Sequence, residues 1–301
     1  MDPPGLVTAP AITNAVADGR PVVALESALI THGLAWPTNH EVACRLEQIV
    51  RDHGAVPATV GVIAGQVKIG LSGDEILRLA RVTDTHKISL RDLPIAVARR
   101  WDGGTTVAAT AWAVRRAGIG VFATGGIGGV HPSDAMDISA DLPVLARTPI
   151  VVVSAGAKAI LDLPRTVEWL ETHGVPVIGY GTDEFPAFYS RRSGLAVSTR
   201  VETPQEVAAI AKASWQLGLP GAILVGVPVP VQSEIPAERI AEAISHARHE
   251  AGSQGVAGRD LTPFLLARLD ELTEGASTRA NIALLENNAR VAADIAAVLA
   301  E

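Results

Sequence analysis

Cysteine is nearly absent. Cys44 is alone in 301 residues, which excludes an intramolecular disulfide framework and any CxxC metal site. Aromatic side chains make up only 4%, too few for a protein that binds single strands by stacking bases. There is no basic run, and the formal net charge is −7, so binding to nucleic acid or to anionic membranes is not expected. No apolar run is long enough to cross a bilayer. The opening residues MDPPGLVTAPAITNAVADGR lack a basic segment followed by an apolar one, so they do not read as a signal peptide, and a reducing cytoplasm is the expected location. What is present is aliphatic. Hydrophobic residues are 48% and charged residues 19%. A core of Ala, Val, Ile and Leu suits a buried parallel sheet faced by helices and does not suit a disordered chain.

Lysine is the other scarcity. Lys68, Lys87, Lys158 and Lys212 stand against 21 arginines. Arginine does the routine surface charging, so a lysine is set apart for what arginine cannot do: lose its proton and act as an amine nucleophile. Lys158 lies in VVVSAGAKAIL, and an ammonium among apolar neighbours is more easily used as a free amine. A lysine snorkelling to water at a helix mouth fits the local sequence equally well.

Apolar runs alternate with amphipathic ones nearly throughout. Val22 to Leu25 reads as a strand ending on Glu26, and Asn39 as the cap of a helix carrying Val42, Ala43, Leu46, Ile49 and Val50. Cys44 falls inside that helix and is expected to pack in the core. Val56–Ala64 and Val67–Leu71 read as strands joined at Gly65-Gln66. Ser72 with Glu75, and Thr203 with Glu206, form capping boxes. Lys87 to Ser89 is short and extended, and Gly103-Gly104-Thr105-Thr106 opens a helix running to Ala117. Three helices close the chain. This pattern predicts a three-layer α/β/α fold around a mostly parallel, mixed sheet. With no linker or repeat, residues 1–301 read as one domain, with 1–20 as a lead-in.

Residues 121–162 hold the densest chemistry. An apolar run ends at Thr124 and Gly125-Gly126-Ile127-Gly128-Gly129 follows. Such a loop can offer backbone N–H groups to an anion, or can be a tight turn needing positive φ. It is not the dinucleotide fingerprint, because His131 stands where the third glycine belongs. The Gly103–Thr106 turn is an equally good anion cradle at a helix start. Glu26 closes a strand, at the end where α/β sheets place ligands, or else turns to solvent. Asp137 and Asp141 offer oxygen ligands for a hard cation, or complement a helix dipole. His32 and His131 are open as bases or ligands, or as neither.

The runs VALESALITHGLAWPTN, VPATVGVIAG, KISLRDL, GGTTVAAT, ATGGIGGVH, MDISADL, SAGAKAILD, ETHGVPVIGYGTDEFPAFY, GRDLTPFLL and ANIALLENNARVAADIA together resemble the pseudouridine-5′-phosphate glycosidases, the indigoidine synthase A-like family. The likeness is collinear from about Val22 to the end. It implies cleavage of the C–C glycosidic bond of pseudouridine 5′-phosphate to uracil and ribose 5-phosphate. It implies a Schiff-base lysine at Lys158, a general acid at Glu26, and a divalent cation, Mn²⁺ or a relative such as Mg²⁺, on Asp137. Substrate contacts are implied at Lys87, near Val107, along Ser139-Ala140-Asp141 and at Asn281, and the assembly is implied to be a homotrimer. The chain departs from the family pattern in a short PSDAM segment after His131, at Leu90 and at Val227. Two other readings stand beside this one: an α/β oxidoreductase with a dinucleotide at GGIGG, and a sugar-phosphate-binding protein with no chemistry.

Overall fold

The computed structural model of the chain describes residues 5–132, 136–256 and 261–301. The strands are β1 (Leu6–Thr8), β2 (Val22–Leu25), β3 (Val56–Ile63), β4 (Gln66–Ile69), β5 (His86–Ile88), β6 (Gly103–Thr105), β7 (Val121–Ala123), β8 (Val151–Ser154), β9 (Val177–Tyr180), β10 (Thr199–Val201) and β11 (Ile223–Gly226). The helices are α1 (Pro10–Ala17), α2 (Thr38–Asp52), α3 (Gly73–Arg81), α4 (Leu93–Arg99), α5 (Val107–Arg116), α6 (Asp141–Leu145), α7 (Leu163–Thr172), α8 (Pro204–Gln216), α9 (Ala237–Ser253), α10 (Leu261–Leu272) and α11 (Ala276–Ala300).

One sheet runs β1-β4-β3-β2-β7-β8-β11-β9-β10, and β6 joins β3 and β5 at the side. Pairing is parallel except where β3 meets β4 and β6. The exception lies within one long strand. Val56–Thr59 pair with β2 in parallel, and Val60–Ile63 turn back on β4 through Ala64-Gly65. Alternation along the strands feeds two cores. Val23, Leu25, Val151, Val153 and Val225 pack with Val42 and Leu46 of α2, Val207 of α8 and Leu284 of α11. Val22, Ala24, Phe122, Val152 and Leu224 face Ile12 of α1, Ala108 and Ala111 of α5, Leu142 of α6 and Leu170 of α7. Those two cores make the predicted α/β/α layering. Both capping boxes form, at Ser72/Glu75 and Thr203/Glu206. No helix among the described residues is long and apolar enough to cross a membrane.

Four local expectations change. The lead-in is part of the sheet: β1 adds to β4, and α1 buries Ile12 and Ala15. Gly103–Thr105, expected as a turn leading into a helix, is strand β6, because Gly103 and Gly104 pair with β3 and β5, while the helix itself begins at Val107 as expected. Asn39 is not a cap. It is buried inside α2, and its Nδ2 donates to the carbonyls of Ile30 and Ala80. Cys44 is exposed. The buried stripe of α2 runs Ala43, Leu46, Glu47, Val50, and position 44 lies one residue, about 100°, off it.

The fold creates one crevice that matters. The chain leaves β2 through α2 to reach β3 on one side, and β7 lies on the other side of β2. The carboxyl ends of β2 and β7 therefore flank a point where strand order reverses, the usual place for a ligand in such sheets.

Candidate active site

Glu26 is the first residue past β2 and Thr124 the first past β7. Leu25 is in register with Ala123, so the two polar residues stand side by side at the crevice. The Thr124 hydroxyl donates to Glu26 Oε1. From here the glycine segment runs alongside the segment after β8. Ala155 N–H donates to Gly125 O at 2.9 Å, Ile127 N–H to Gly156 O at 3.0 Å, and Lys158 N–H to Ile127 O at 3.1 Å. This ladder carries Lys158 from the end of β8 to the same opening. Lys87 arrives from β5. The result is a cavity of ≈ 700 Å³, counted out to its open mouth, lined by Glu26, Ala28, Leu29, His32, Gly33, Lys87, Gly125, Gly126, Lys158, Phe188, Tyr189, Leu266, Asn281 and Leu285.

Two of the four lysines thus share one cavity. Lys68 is paired with Glu75 instead. The charges act on one another. Burial pushes the Glu26 pKa above the usual carboxylate value. Lys158, the Thr124 hydroxyl and Lys87 pull it back, and Asp141 adds to the rise. Lys87 remains open to water on the cavity side. Even so, loss of hydration and then the Lys158 ammonium lower its pKa, while Glu26 and Asp141 oppose that. His32 is lowered by burial first and Lys87 second, and its Nδ1 meets the Thr31 hydroxyl at 2.6 Å. A carboxyl inclined to keep its proton, in one cavity with two lysines, is suited to acid work.

The other sequence-predicted residues take different places. Asn281, on α11, lines the cavity. Val107 is buried at the first turn of α5. Asp141 is also buried, and both its oxygens are taken. Ala108 N–H donates to Oδ1 at 2.9 Å and Gly128 N–H to Oδ2 at 2.8 Å. The anion at the start of α5 is therefore one of the chain's own carboxylates, which favours that helix end. Ser139 lies beneath the glycine loop. Its N–H donates to Gly129 O, and its Oγ accepts from Asp141 N–H. Ala140 is exposed. Asp137 is exposed too, and its carbonyl accepts from His131 N–H at 2.9 Å. Residues 133–135 of the short PSDAM segment lie outside the described residues.

Positive φ is not what the glycine loop needs. Gly126 and Gly128 are absent from the positive-φ residues. A Cβ on Gly128 would come within 2.1 Å of Ser139 Oγ, and one on Gly126 within 2.6 Å of the Phe188 ring. The glycines are there for close packing. Nor does a helix begin where the loop ends, since α6 starts only at Asp141. A pyrophosphate seated on a helix N-terminus, which the dinucleotide reading requires, has no such helix at this loop.

Sequence reasoning missed Thr124, Phe188, Tyr189 and Asn288. Phe188 adopts φ +63°, unusual for an aromatic residue, and its ring meets Tyr189 edge-on at 4.7 Å. The FPAFY run was the available signal. Asn288, fully buried on α11, donates to Thr124 O at 2.8 Å.

Among the described residues no group of three or more His, Cys, Asp or Glu side chains is placed to hold an ion. Each Asp141 oxygen already accepts a backbone hydrogen bond, and Asp137 is the carboxylate that the resemblance implies. One carboxylate fits a hard divalent cation that keeps most of its waters, and does not fit a zinc site.

Residues 11–298 match the family model described as indigoidine synthase A like protein. The chain is 53% identical over 290 residues to the pseudouridine-5′-phosphate glycosidase of Deinococcus radiodurans, covering 96% of this chain and 93% of that one. It is 52% identical over 290 residues to the enzyme of the same name from Caldanaerobacter subterraneus, covering 96% and 94%. Among solved structures, the prealnumycin C-glycosynthase in complex with ribulose 5-phosphate superposes with a TM-score of 0.92 at 40% identity, covering 99% of this chain and 98% of that one. An indigoidine synthase A-like protein from Thermotoga maritima superposes with a TM-score of 0.90 at 37% identity, covering 98% and 97%. The chain belongs to the indigoidine synthase A-like family.

Proposed function

We propose that this chain is a pseudouridine-5′-phosphate glycosidase, cleaving the C–C glycosidic bond to give uracil and ribose 5-phosphate. The carrying observation is the meeting of Glu26, Lys87 and Lys158 in one cavity at the β2/β7 crevice, in a chain about half identical to enzymes of that name.

A C–C glycosidic bond has no heteroatom leaving group to protonate, so a pair of carboxylates is not enough. An amine nucleophile supplies what is missing. Lys158 attacks C1′ as the neutral amine. The N–C1′ bond forms, C1′–O4′ breaks, and O4′ takes the proton of Glu26. The nitrogen gives a proton to the Glu26 carboxylate and pushes its lone pair toward C1′. The C1′ bond to C5 of the base breaks as C5 takes that proton from Glu26, which releases uracil and leaves a protonated imine. Water hydrolyses the imine to ribose 5-phosphate and frees Lys158. Glu26, its pKa raised by burial, is suited to the first transfer. Lys87 supplies positive charge for the phosphate, and Asn281 stands at the cavity wall for the base or sugar. A bound Mn²⁺ or Mg²⁺ would supply charge neutralisation for the phosphate, and Asp137 is the residue proposed to hold it. The same resemblance supports a homotrimer. The Ala-rich face of α11 does not, because Ala280, Ala289, Ala292, Ala293 and Ala296 are buried in the chain's own core.

The test is uracil release from pseudouridine 5′-phosphate with Mn²⁺ by wild type and by Glu26→Gln. The substitution keeps shape and removes the acid. The expected loss is about 10²–10⁴-fold in kcat, with a smaller change in KM. Wild-type activity should fall at alkaline pH, since the acid form is lost as pH rises through the elevated Glu26 pKa. Full activity of Glu26→Gln would make Glu26 a positioning group. If Lys158→Ala kept ligand binding while wild type itself released no uracil, the non-catalytic reading would be favoured.

A further inference from the structure

We infer that Thr124 is a positioning residue for the acid: it takes Glu26 Oε1 as a hydrogen-bond acceptor and so leaves the transferable proton on Oε2. This rests on the proposed role of Glu26.

Thr124 is fixed on every side. It is 1% exposed. Its N–H donates to Val153 O of β8 at 3.0 Å, and its carbonyl accepts from Asn288 Nδ2 of α11 at 2.8 Å. Neighbouring strand and overlying helix thus hold the backbone, and the hydroxyl has one proton to give. That proton goes to Glu26 Oε1. An oxygen accepting a donated hydrogen bond is the carbonyl-like oxygen of a carboxylic acid, so the acid proton resides on its partner. A carboxyl held this way is also kept from swinging onto Lys158, the largest of the opposing charges around it. Acid and nucleophile can then meet one sugar from separate positions. The in-register neighbours β2 and β7 make this cheap in chain entropy, because the two residues are already side by side.

The charged groups that influence Glu26 are Lys158, Lys87 and Asp141, and His32 lines the same cavity. A donated hydrogen bond favours the ionised carboxylate, so its removal raises the Glu26 pKa further. Two signatures follow for Thr124→Val, which keeps shape and loses the hydroxyl. The value of kcat falls on the order of tenfold or more, with KM little changed. The alkaline limb of the rate profile moves to higher pH. Thr124→Ser, which keeps the donor, restores both.

Uracil release is therefore measured across pH for wild type, both variants and Glu26→Gln, with ribose 5-phosphate affinity measured by calorimetry to show that each site is formed. A Val variant that binds ribose 5-phosphate like wild type and has wild-type kcat and pH profile overturns the inference. So does a Ser variant as impaired as Val, which would make the role one of methyl packing. If Thr124→Val fails to fold, the Ser variant and Thr124→Ala carry the same comparison. A fully active Glu26→Gln sinks the reading of Glu26 itself, whereas an inactive Glu26→Gln beside an unaffected Thr124→Val sinks this inference alone.

Discussion

The resemblance makes Asp141 a substrate contact, whereas the geometry makes it a staple between α5 and the glycine loop. Asp141→Asn and Asp141→Ala separate the two. A hydrogen bond to a charged group contributes about 1.5–3 kcal/mol, and a buried amide left without an acceptor costs about 1–3 kcal/mol. Asp141→Asn keeps one acceptor for Ala108 or Gly128 and turns an NH₂ toward the other, so the expected loss is about 2–4 kcal/mol. Asp141→Ala abandons both amides and should lose about 3–6 kcal/mol. At about 2–4 °C per kcal/mol for somewhat shorter domains, the Asn variant should melt roughly 4–16 °C lower, and the Ala variant lower still. Thermal unfolding followed by circular dichroism, without substrate, measures this. The pH profile gives a second reading. Asp141 raises the pKa values of Glu26 and Lys87, so its neutralisation lowers both and moves the alkaline limb of activity to lower pH. That is opposite in sign to the shift expected for Thr124→Val. If both variants melt within about 2 °C of wild type and lose only ligand affinity, the staple is wrong and Asp141 belongs to the substrate.

Borohydride added during turnover should fix a ribose 5-phosphate adduct to the peptide containing Lys158, and the same adduct on Lys87 would mean that the nucleophile is misassigned. Asp137→Ala should abolish Mn²⁺ rescue of EDTA-treated protein and weaken Mn²⁺ binding measured by calorimetry, and full activity in chelator would refute a metal on that residue. Light scattering at micromolar concentration should return three times the chain mass, and a monomer would count against the trimer.

Much of the fold is legible in the residues themselves, for a local reason. Val22–Leu25, Val151–Ser154 and Ile223–Gly226 are apolar on both faces, and only a strand buried between two helix layers needs that. Ser72/Glu75 and Thr203/Glu206 specify helix starts within four residues. The scarcity of lysine and its apolar neighbours set Lys158 apart in the sequence, whereas Lys87 was marked only by the resemblance, and Glu26 at the end of an apolar strand could equally have turned to solvent. What could not be read depends on residues far apart in the chain. Gly103-Gly104 resembles a loop until β3 and β5 arrive to pair with it. Asn39 looks like a cap until the carbonyls of Ile30 and Ala80 come within reach. The glycines of GGIGG fit a turn equally well until Ser139 and Phe188 fill the space a Cβ would need. Asp141 and Asp137 are alike as letters. Two backbone amides, one from α5 and one from the loop, hold the first, and the second stays in water. The link between Glu26 and Thr124 spans 98 residues. Strand register across the β2/β7 crevice creates it, and register is set by tertiary packing of both sheet faces rather than by any pattern local to either residue.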